Sequence, residues 1–372
     1  MKYYVIAGEA SGDLHGSNLM KAIRENDAQA EFRCWGGDLM QEQGGELVKH
    51  YRSLAFMGFI EVIANLRTII KNIKFCKDDI LQWKPDALIF IDYPGFNLRI
   101  AEFARQEGIK TIYYISPQIW AWKESRIHKI KRDIDKMLVI LPFEKEFYHK
   151  WGMEVDFVGH PLLDEIGTRK WIDDSWKKKH HIPENKKLIA LLPGSRKQEM
   201  DTMLPIMIEA TKGMDEYHFL LAIAPSQAIE AYTSHLDSRS NITHIQGETY
   251  AILSASSGAL VTSGTATLET AIFGVPEVVC YKANKVSYWI ARQLIKVKYI
   301  SLVNLVMDRE IVKELIQDDL NPKQLKSELL KILESDEREK MLESFVELKQ
   351  KLGGEGASYN AASLIHKLLA SK

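Results

Sequence analysis

Two doubly wound α/β domains, each a parallel sheet with helices on both faces, are the fold class this sequence predicts. Three observations carry that reading. Short, continuously apolar runs alternate with amphipathic stretches, the pattern of strands buried on both faces of a parallel sheet. The alternation pauses once near the middle and then restarts. The 372 residues also exceed what one ordinary core supports.

Residues 3–7 read as the first strand and residues 14–25 as the first helix. Compact apolar runs follow at 87–91, 111–115 and 137–141, with helical stretches between them. From Gly159 to Lys187 the pattern stops; Pro161, Pro183, Trp171, Trp176 and the charged run 177–181 read as a hinge. Runs at 188–192, 219–223, 258–261 and 277–280 are the strands of the second half. From Pro322 onward the chain reads as helical, broken at Gly353-Gly354. The expected domains are therefore 1–163 and 187–340, with 164–186 as linker.

Composition narrows the function. Hydrophobic residues make up 46% and charged residues 27%, a globular balance. A net charge of -1 leaves no global basic field, so nucleic acid is not an expected partner. Cys34, Cys76 and Cys280 are far apart without metal-ligand spacing, which fits a reducing compartment. The amino-terminal residues run straight into a strand without an export signal, so an intracellular protein is expected. No run approaches the roughly 20 apolar residues that span a bilayer.

Open parallel sheets bind ligands beyond the carboxyl ends of strands, where helix amino ends offer free N–H groups and partial positive charge. Three segments have that placement. Gly8-Glu9-Ala10-Ser11-Gly12-Asp13 lies between the first strand and first helix. It is not GxGxxG, so no dinucleotide fingerprint is present. A capped turn would explain it, but its small residues also permit close backbone approach to a ligand. Leu192-Pro193-Gly194-Ser195-Arg196 follows the first strand of the second half. Gly194 and Ser195 can bare backbone N–H groups, and Arg196 adds a fork suited to phosphate oxygens. The GxxxxGK[ST] pattern is missing, so ATP hydrolysis is not implied. The third segment, Ser263-Gly264-Thr265-Ala266-Thr267-Leu268-Glu269, opens a helix with small polar residues, as an anion site does. Glu269, one turn in, can accept both hydroxyls of a ribose; complementing the helix dipole is its plainer role.

Asp92 closes the apolar run 87–91 and is the candidate general base. A carboxylate there is costly to bury without a partner, although an Asx turn before Pro94 would also account for it. Asp133-Ile134-Asp135 has a DxD spacing but sits in a basic run, where acids ordinarily pair with neighbouring Lys and Arg. His180-His181 forms no ligand pair, and no metal is expected.

Together these segments resemble the lipid-A-disaccharide synthase family, glycosyltransferases of family 19 with the GT-B fold. The resemblance spans nearly the whole chain. Its further stations are Met57-Gly58-Phe59-Ile60-Glu61-Val62, Ser116-Pro117-Gln118-Ile119-Trp120-Ala121-Trp122, Leu141-Pro142-Phe143-Glu144, Phe157-Val158-Gly159-His160 and Ser301-Leu302-Val303-Asn304 with Arg309-Glu310. The resemblance implies an inverting transfer of 2,3-diacylglucosamine from UDP to 2,3-diacylglucosamine 1-phosphate, without metal or other cofactor. It also implies two domains facing a cleft: UDP held by the second, the lipid acceptor by the first, and a last helix (about 344–372) crossing back. Gly8, Glu9, Ser11, Gly12, Asp13, Gly194, Ser195, Ser263, Gly264, Thr265, Glu269, Asn304 and Glu310 become expected substrate contacts. Asp92 becomes the base and Arg196 the partner of the leaving diphosphate. One departure matters: Gly95 stands where some relatives carry a second acid, which leaves Asp92 alone.

Acylated substrates imply a cytoplasmic protein lying peripherally on the inner membrane's cytoplasmic face. Phe59, Leu66 and Ile70 recur at helical spacing in one apolar stripe. Arg67, Lys71 and Lys74 flank it, the layout of a helix lying on anionic lipid; packing on its own sheet is the rival role. A homodimer is compatible with this scheme. The rival functions are a UDP-sugar 2-epimerase of similar fold and a non-catalytic, membrane-surface nucleotide-binding protein.

Overall fold

The computed structural model describes residues 1–54, 66–167, 171–173, 175–225, 227–236, 241–284 and 297–370. The chain forms two compact units, Met1–Asp164 with Leu352–Lys372, and Glu165–Lys351.

Unit 1 is a parallel sheet built from β1 (Lys2–Ala7), β2 (Glu31–Gly36), β3 (Glu46–His50), β4 (Ala87–Ile91), β5 (Lys110–Tyr114), β6 (Lys136–Val139) and β7 (Asp156–Phe157). Its order is β3-β2-β1-β4-β5-β6-β7. Its helices are α1 (Ala10–Asn26), α2 (Asp38–Glu42), α3 (Leu66–Trp83), α4 (Pro94–Gln106), α5 (Ile119–Trp122), α6 (Ile127–Asp133), α7 (Pro142–Lys150) and the end-of-domain α8 (Pro161–Ile166). The central β4, Ala-Leu-Ile-Phe-Ile, is buried at every position, as its continuous apolar run requires. Phe90, Tyr113, Trp35 and Phe96 form the core beneath α3 and α4. Within that core Asp79 accepts from Tyr4 Oη at 2.7 Å and from the Arg33 fork at 2.9 and 2.7 Å. Burial opposes the Asp79 charge, but these donors outweigh it and hold the carboxyl below its ordinary range.

Unit 2 begins with α9 (Trp176–Lys179) and continues through β8 (Lys187–Leu192), α10 (Lys197–Ala210), β9 (Tyr217–Ile223), α11 (Ile229–Thr233), β10 (Ile242–Gln246) and α12 (Thr249–Ala255). It is completed by β11 (Gly258–Thr262), α13 (Thr265–Phe273), β12 (Glu277–Tyr281), α14 (Leu302–Met307), β13 (Lys313–Ile316), α15 (Pro322–Glu334) and α16 (Glu337–Lys351). The strand order is β10-β9-β8-β11-β12-β13, every neighbour parallel. Part of the stretch read as a linker is packed here: Trp171 meets Tyr250 edge-on at 4.8 Å, and Trp176 Nε1 donates to Glu248 at 2.6 Å.

The last helix, α17 (Ala357–Ala370), returns to unit 1 and packs on α1. The return begins at Leu352, after α16 has ended in unit 2. Gly353 has a φ of +94°, and an added Cβ would stand 3.0 Å from the Gly159 backbone, so both the turn and the close approach need glycine. Asp164 then caps α17, accepting from the amides of Gly356, Ala357 and Ser358 at 2.6, 3.2 and 2.9 Å. Asp164→Ala should destabilise unit 1 by about 1–2 kcal/mol, the usual cost of losing a helix cap. Chemical denaturation checks this; an unchanged midpoint would mean that water replaces the carboxylate without loss.

Candidate active site

Each sheet reverses its direction of winding once, at β1/β4 in unit 1 and β8/β11 in unit 2. The candidate segments follow those strands, at the carboxyl ends where crossover helices diverge.

In unit 1, α1 starts at Ala10, four residues earlier than expected, so Ser11, Gly12 and Asp13 belong to its first turn. Gly12 lets the helix settle on Ala7, since an added Cβ would lie 2.9 Å from that residue's own. The Glu9 side chain does not cap the helix, whose amino end carries no side-chain cap. Gly8 faces the Tyr93 ring, 2.4 Å from where a Cβ would stand. Asp13, also expected as a substrate contact, is engaged by backbone amides. It is buried, with one oxygen accepting from Gly37 and Met40 at 2.7 and 3.1 Å and the other from Leu39 at 3.1 Å. Its carboxylate braces the start of α2.

Asp92 and Tyr93 both adopt left-handed backbone, with φ of +44° and +48°. Such conformations cost on the order of 1–3 kcal/mol and gather at functional sites. The turn is secured through the Asp92 carbonyl, which accepts from Tyr113 Oη at 2.5 Å and Asn97 Nδ2 at 2.7 Å. The carboxyl keeps a solvent-open edge, but surrounding atoms withdraw much of its hydration. That burial, with the nearby Glu9 charge, raises it to about 6, despite the Tyr93 amide favouring the ionised form. After β6, Glu144 is fully enclosed and accepts from Trp120 Nε1 at 3.2 Å and Leu141 N at 3.0 Å. Burial pushes it up to about 7.

In unit 2, Gly194 has a φ of +107°, where a Cβ would also strike Glu199 at 2.7 Å. Tyr232 Oη and Gln227 Nε2 hold the carbonyls of Gly194 and Ser195 at 3.2 and 3.0 Å. Arg196 precedes α10 with its side chain 61% exposed, resting on Glu199 at 3.3 Å. That surface pair is worth little, so the guanidinium is available to an anion. Across the switch point, Ser263 Oγ donates to Ile300 O at 3.0 Å, Gly264 stands at the α13 amino end, and Thr265 is exposed there. Glu269 is half-buried and accepts from Tyr250 Oη at 2.9 Å; burial raises its carboxyl despite that donor.

Asn304 and Glu310, also expected as substrate contacts, have protein partners of their own. The buried Asn304 amide donates to Val312 O and Glu314 at 2.9 Å each and accepts from Ile311 N and Val312 N at 2.7 and 3.1 Å. It is a brace between α14 and β13. Glu310 is exposed and paired with Lys313 at 2.9 Å. Of the membrane residues, Phe59 lies outside the described residues and Leu66 opens α3. Ile70 is 58% exposed, and Arg67, Lys71 and Lys74 are exposed around it. Asp133 is held by Arg132 at 2.7 Å and Asp135 by Lys110 at 2.9 Å, so the DxD spacing makes ion pairs. No set of three metal-ligating side chains converges among the described residues. Tyr113, Tyr250 and Glu314 were not legible as site residues, because their partners lie on other elements.

This architecture defines a class: α/β proteins built of two parallel-sheet domains, of the GT-B type. The structure superposes on a putative UDP-N-acetylglucosamine 2-epimerase from Listeria monocytogenes with a TM-score of 0.70, at 13% identity over 100% of this chain and 97% of that one. A kitacinnamycin glycotransferase gives 0.68, at 16% identity and 98% of both chains. These likenesses establish the fold alone. The sequence goes further: residues 3–368 match the model of the lipid-A-disaccharide synthetase family. A lipid-A-disaccharide synthase of Syntrophus aciditrophicus is 39% identical over 98% of this chain and 97% of its own. One from Nitrosococcus oceani is 37% identical over 98% and 95%. The chain belongs to the lipid-A-disaccharide synthase family.

Carbon-detected NMR titration of Asp92 should place its midpoint near 6. Glu9→Gln removes a like charge and should move the midpoint down; an unmoved midpoint would leave desolvation as its only cause.

Proposed function

We propose that this chain transfers 2,3-diacylglucosamine from its UDP conjugate to 2,3-diacylglucosamine 1-phosphate, forming the β-1,6-linked lipid A disaccharide 1-phosphate and UDP. The family match over nearly the full length supports the reaction. The observation that carries the mechanism is Asp92, a strained, elevated carboxyl at the unit 1 switch point. The acceptor's 6-hydroxyl oxygen attacks the donor's anomeric carbon from the face opposite the diphosphate. Its proton passes to Asp92 as the new C–O bond forms, the anomeric carbon–phosphate oxygen bond breaks, and UDP leaves with that electron pair. A carboxyl poised near 6 is ionised enough at neutral pH to take the proton.

Unit 2 supplies the nucleotide contacts in this reading. Gly194, Ser195 and the α13 start at Ser263, Gly264 and Thr265 offer N–H and hydroxyl donors to the diphosphate. Arg196 neutralises charge that grows as the bond breaks, which favours the transition state over the ground state. Glu269, steadied by Tyr250, accepts ribose hydroxyls. In unit 1, Gly8, Glu9, Ser11 and Gly12 frame the acceptor beside Asp92.

Incubating the protein with both lipids and weighing the product tests the reaction; UDP release without the acceptor would sink it. Asp92→Asn should lower kcat by about 10²–10⁴-fold, the range of general-base catalysis, while donor affinity holds. Full turnover in that variant would remove Asp92 from the chemistry.

Both substrates carry acyl chains, and the reading places the protein peripherally on the anionic cytoplasmic face of the inner membrane. The exposed Ile70 and Phe75 of α3 beside Arg67, Lys71 and Lys74 support docking there. Among the described residues no helix is long and apolar enough to cross a membrane. Reversing the three charges with Arg67→Glu, Lys71→Glu and Lys74→Glu should weaken sedimentation with anionic vesicles and flatten its salt dependence. Sedimentation equal to the parent protein's would move the contact elsewhere.

A further inference from the structure

The basic run from Lys123 to Lys136 divides in two. Its later cations are already matched inside unit 1. Lys129 and Arg132 reach Glu102 at 3.9 and 2.7 Å, Lys131 donates to Trp151 O at 2.8 Å, and Lys136 meets Asp156 at 2.5 Å. Lys123 and Arg126 differ. Among the described residues neither has a carboxylate partner; both sit against one exposed indole, Lys123 Nζ at 4.2 Å and Arg126 Cζ at 5.7 Å from the Trp122 ring. Arg99 on α4 adds a third cation, its guanidinium donating to the Gly95 carbonyl, three residues beyond Asp92.

Arg126 is half-buried with no carboxylate partner among the described residues, an expense the fold does not need, because substitution by a neutral residue would remove it. Burial and mutual repulsion act together here: each lowers Arg126, with Arg99 as the like charge, and each lowers Lys123, with Arg126 as the like charge. A ligand anion would relieve both. The place is specific, since Arg126 lies in the neighbourhood of Tyr113, whose hydroxyl donates to the Asp92 carbonyl at 2.5 Å. We propose that Lys123, Arg126 and Arg99 bind the phosphate monoester of the acceptor sugar and so set which end of that sugar faces Asp92. This rests on the transferase reading above. A phosphate monoester carries close to two charges at neutral pH and three acceptor oxygens, which match one guanidinium fork and an ammonium. The attacked hydroxyl and the 1-phosphate lie at opposite ends of one hexose, so a phosphate clamp beside the base orients the sugar across it. An anionic lipid headgroup offers the same chemistry; adjacency to Asp92 favours the acceptor.

The test compares the acceptor with its counterpart lacking the 1-phosphate, in the parent enzyme, Arg126→Ala, Arg126→Lys and Lys123→Ala. Lys123 is exposed, so its variant keeps the measurement valid if Arg126→Ala folds poorly. Arg126→Ala and Lys123→Ala should raise KM for the phosphorylated acceptor about tenfold, the loss of one charge-assisted hydrogen bond, with donor KM unchanged. Arg126→Lys should recover part of this, and the phosphate-free acceptor should be poor for the parent enzyme and little worse for the variants. Equal losses on both acceptors, or none on either, would overturn the proposal. Unchanged acceptor KM together with weaker binding to phosphatidic acid vesicles would assign the cluster to the membrane and also overturn it. Failure of the parent enzyme to turn over either acceptor would sink the transferase reading instead. Quenching of Trp122 emission by glucosamine 1-phosphate against glucosamine, with Trp122→Phe as control, would then decide the phosphate site alone: selective quenching keeps it, equal response removes it.

Discussion

A parallel strand cannot be joined to its neighbour by a tight turn; the chain must cross over through a helix on one face or the other. Each sheet here is wound outward from its centre, so the crossovers part company at β1/β4 and at β8/β11. In open parallel sheets such a point leaves a crevice beyond the carboxyl ends of the strands, where helix amino ends offer N–H groups without intrahelical partners. Every residue argued above to touch substrate stands in one of these two places or beside it. The candidate site is thus located by a constraint on chain connection before any particular side chain is considered.

Around those loops the structure spends buried polar groups as braces. Asp13 ties the α1 start to α2, Asn304 and Glu314 tie α14 to β13, and Glu144 ties the Trp120 turn to α7. Each brace satisfies backbone groups that a loop end would leave unpaired, which is costly away from water. Rigid seating of the loops explains how Asp92 and Tyr93 can remain in strained backbone: the Tyr113 and Asn97 bonds over-determine the turn. Stability held in the braces is what permits strain at the Asp92–Tyr93 turn.

Much of the fold was legible because strands such as β4, β9 and β11 are buried on both faces and read as unbroken apolar runs. Edge strands β3 and β10 escaped that reading, since they keep partly exposed faces and mix polar residues into the run. The candidate loops were found through placement after a strand, which needs only local pattern. Side-chain direction was not legible. Asp13 and Asn304 belong to the same motifs as Ser11 and Arg309, but they turn inward toward partners on other elements, which no local pattern reveals. For the same reason the sequence could not divide the cations of 123–136, because Glu102 and Asp156 come from α4 and β7.

Unit 1 is made from two separated stretches of chain, with all 187 residues of unit 2 (165 to 351) lying between them. The face of α1 that receives α17 therefore waits on the ribosome for its partner until α17 is made. At synthesis rates of about 5–20 residues per second, that interval is on the order of 10–40 s. During it that face of α1 is open to chaperones or to another nascent chain, whereas unit 2 is complete in sequence before unit 1. The order of completion is the reverse of the order of synthesis: the domain that is begun first is finished last.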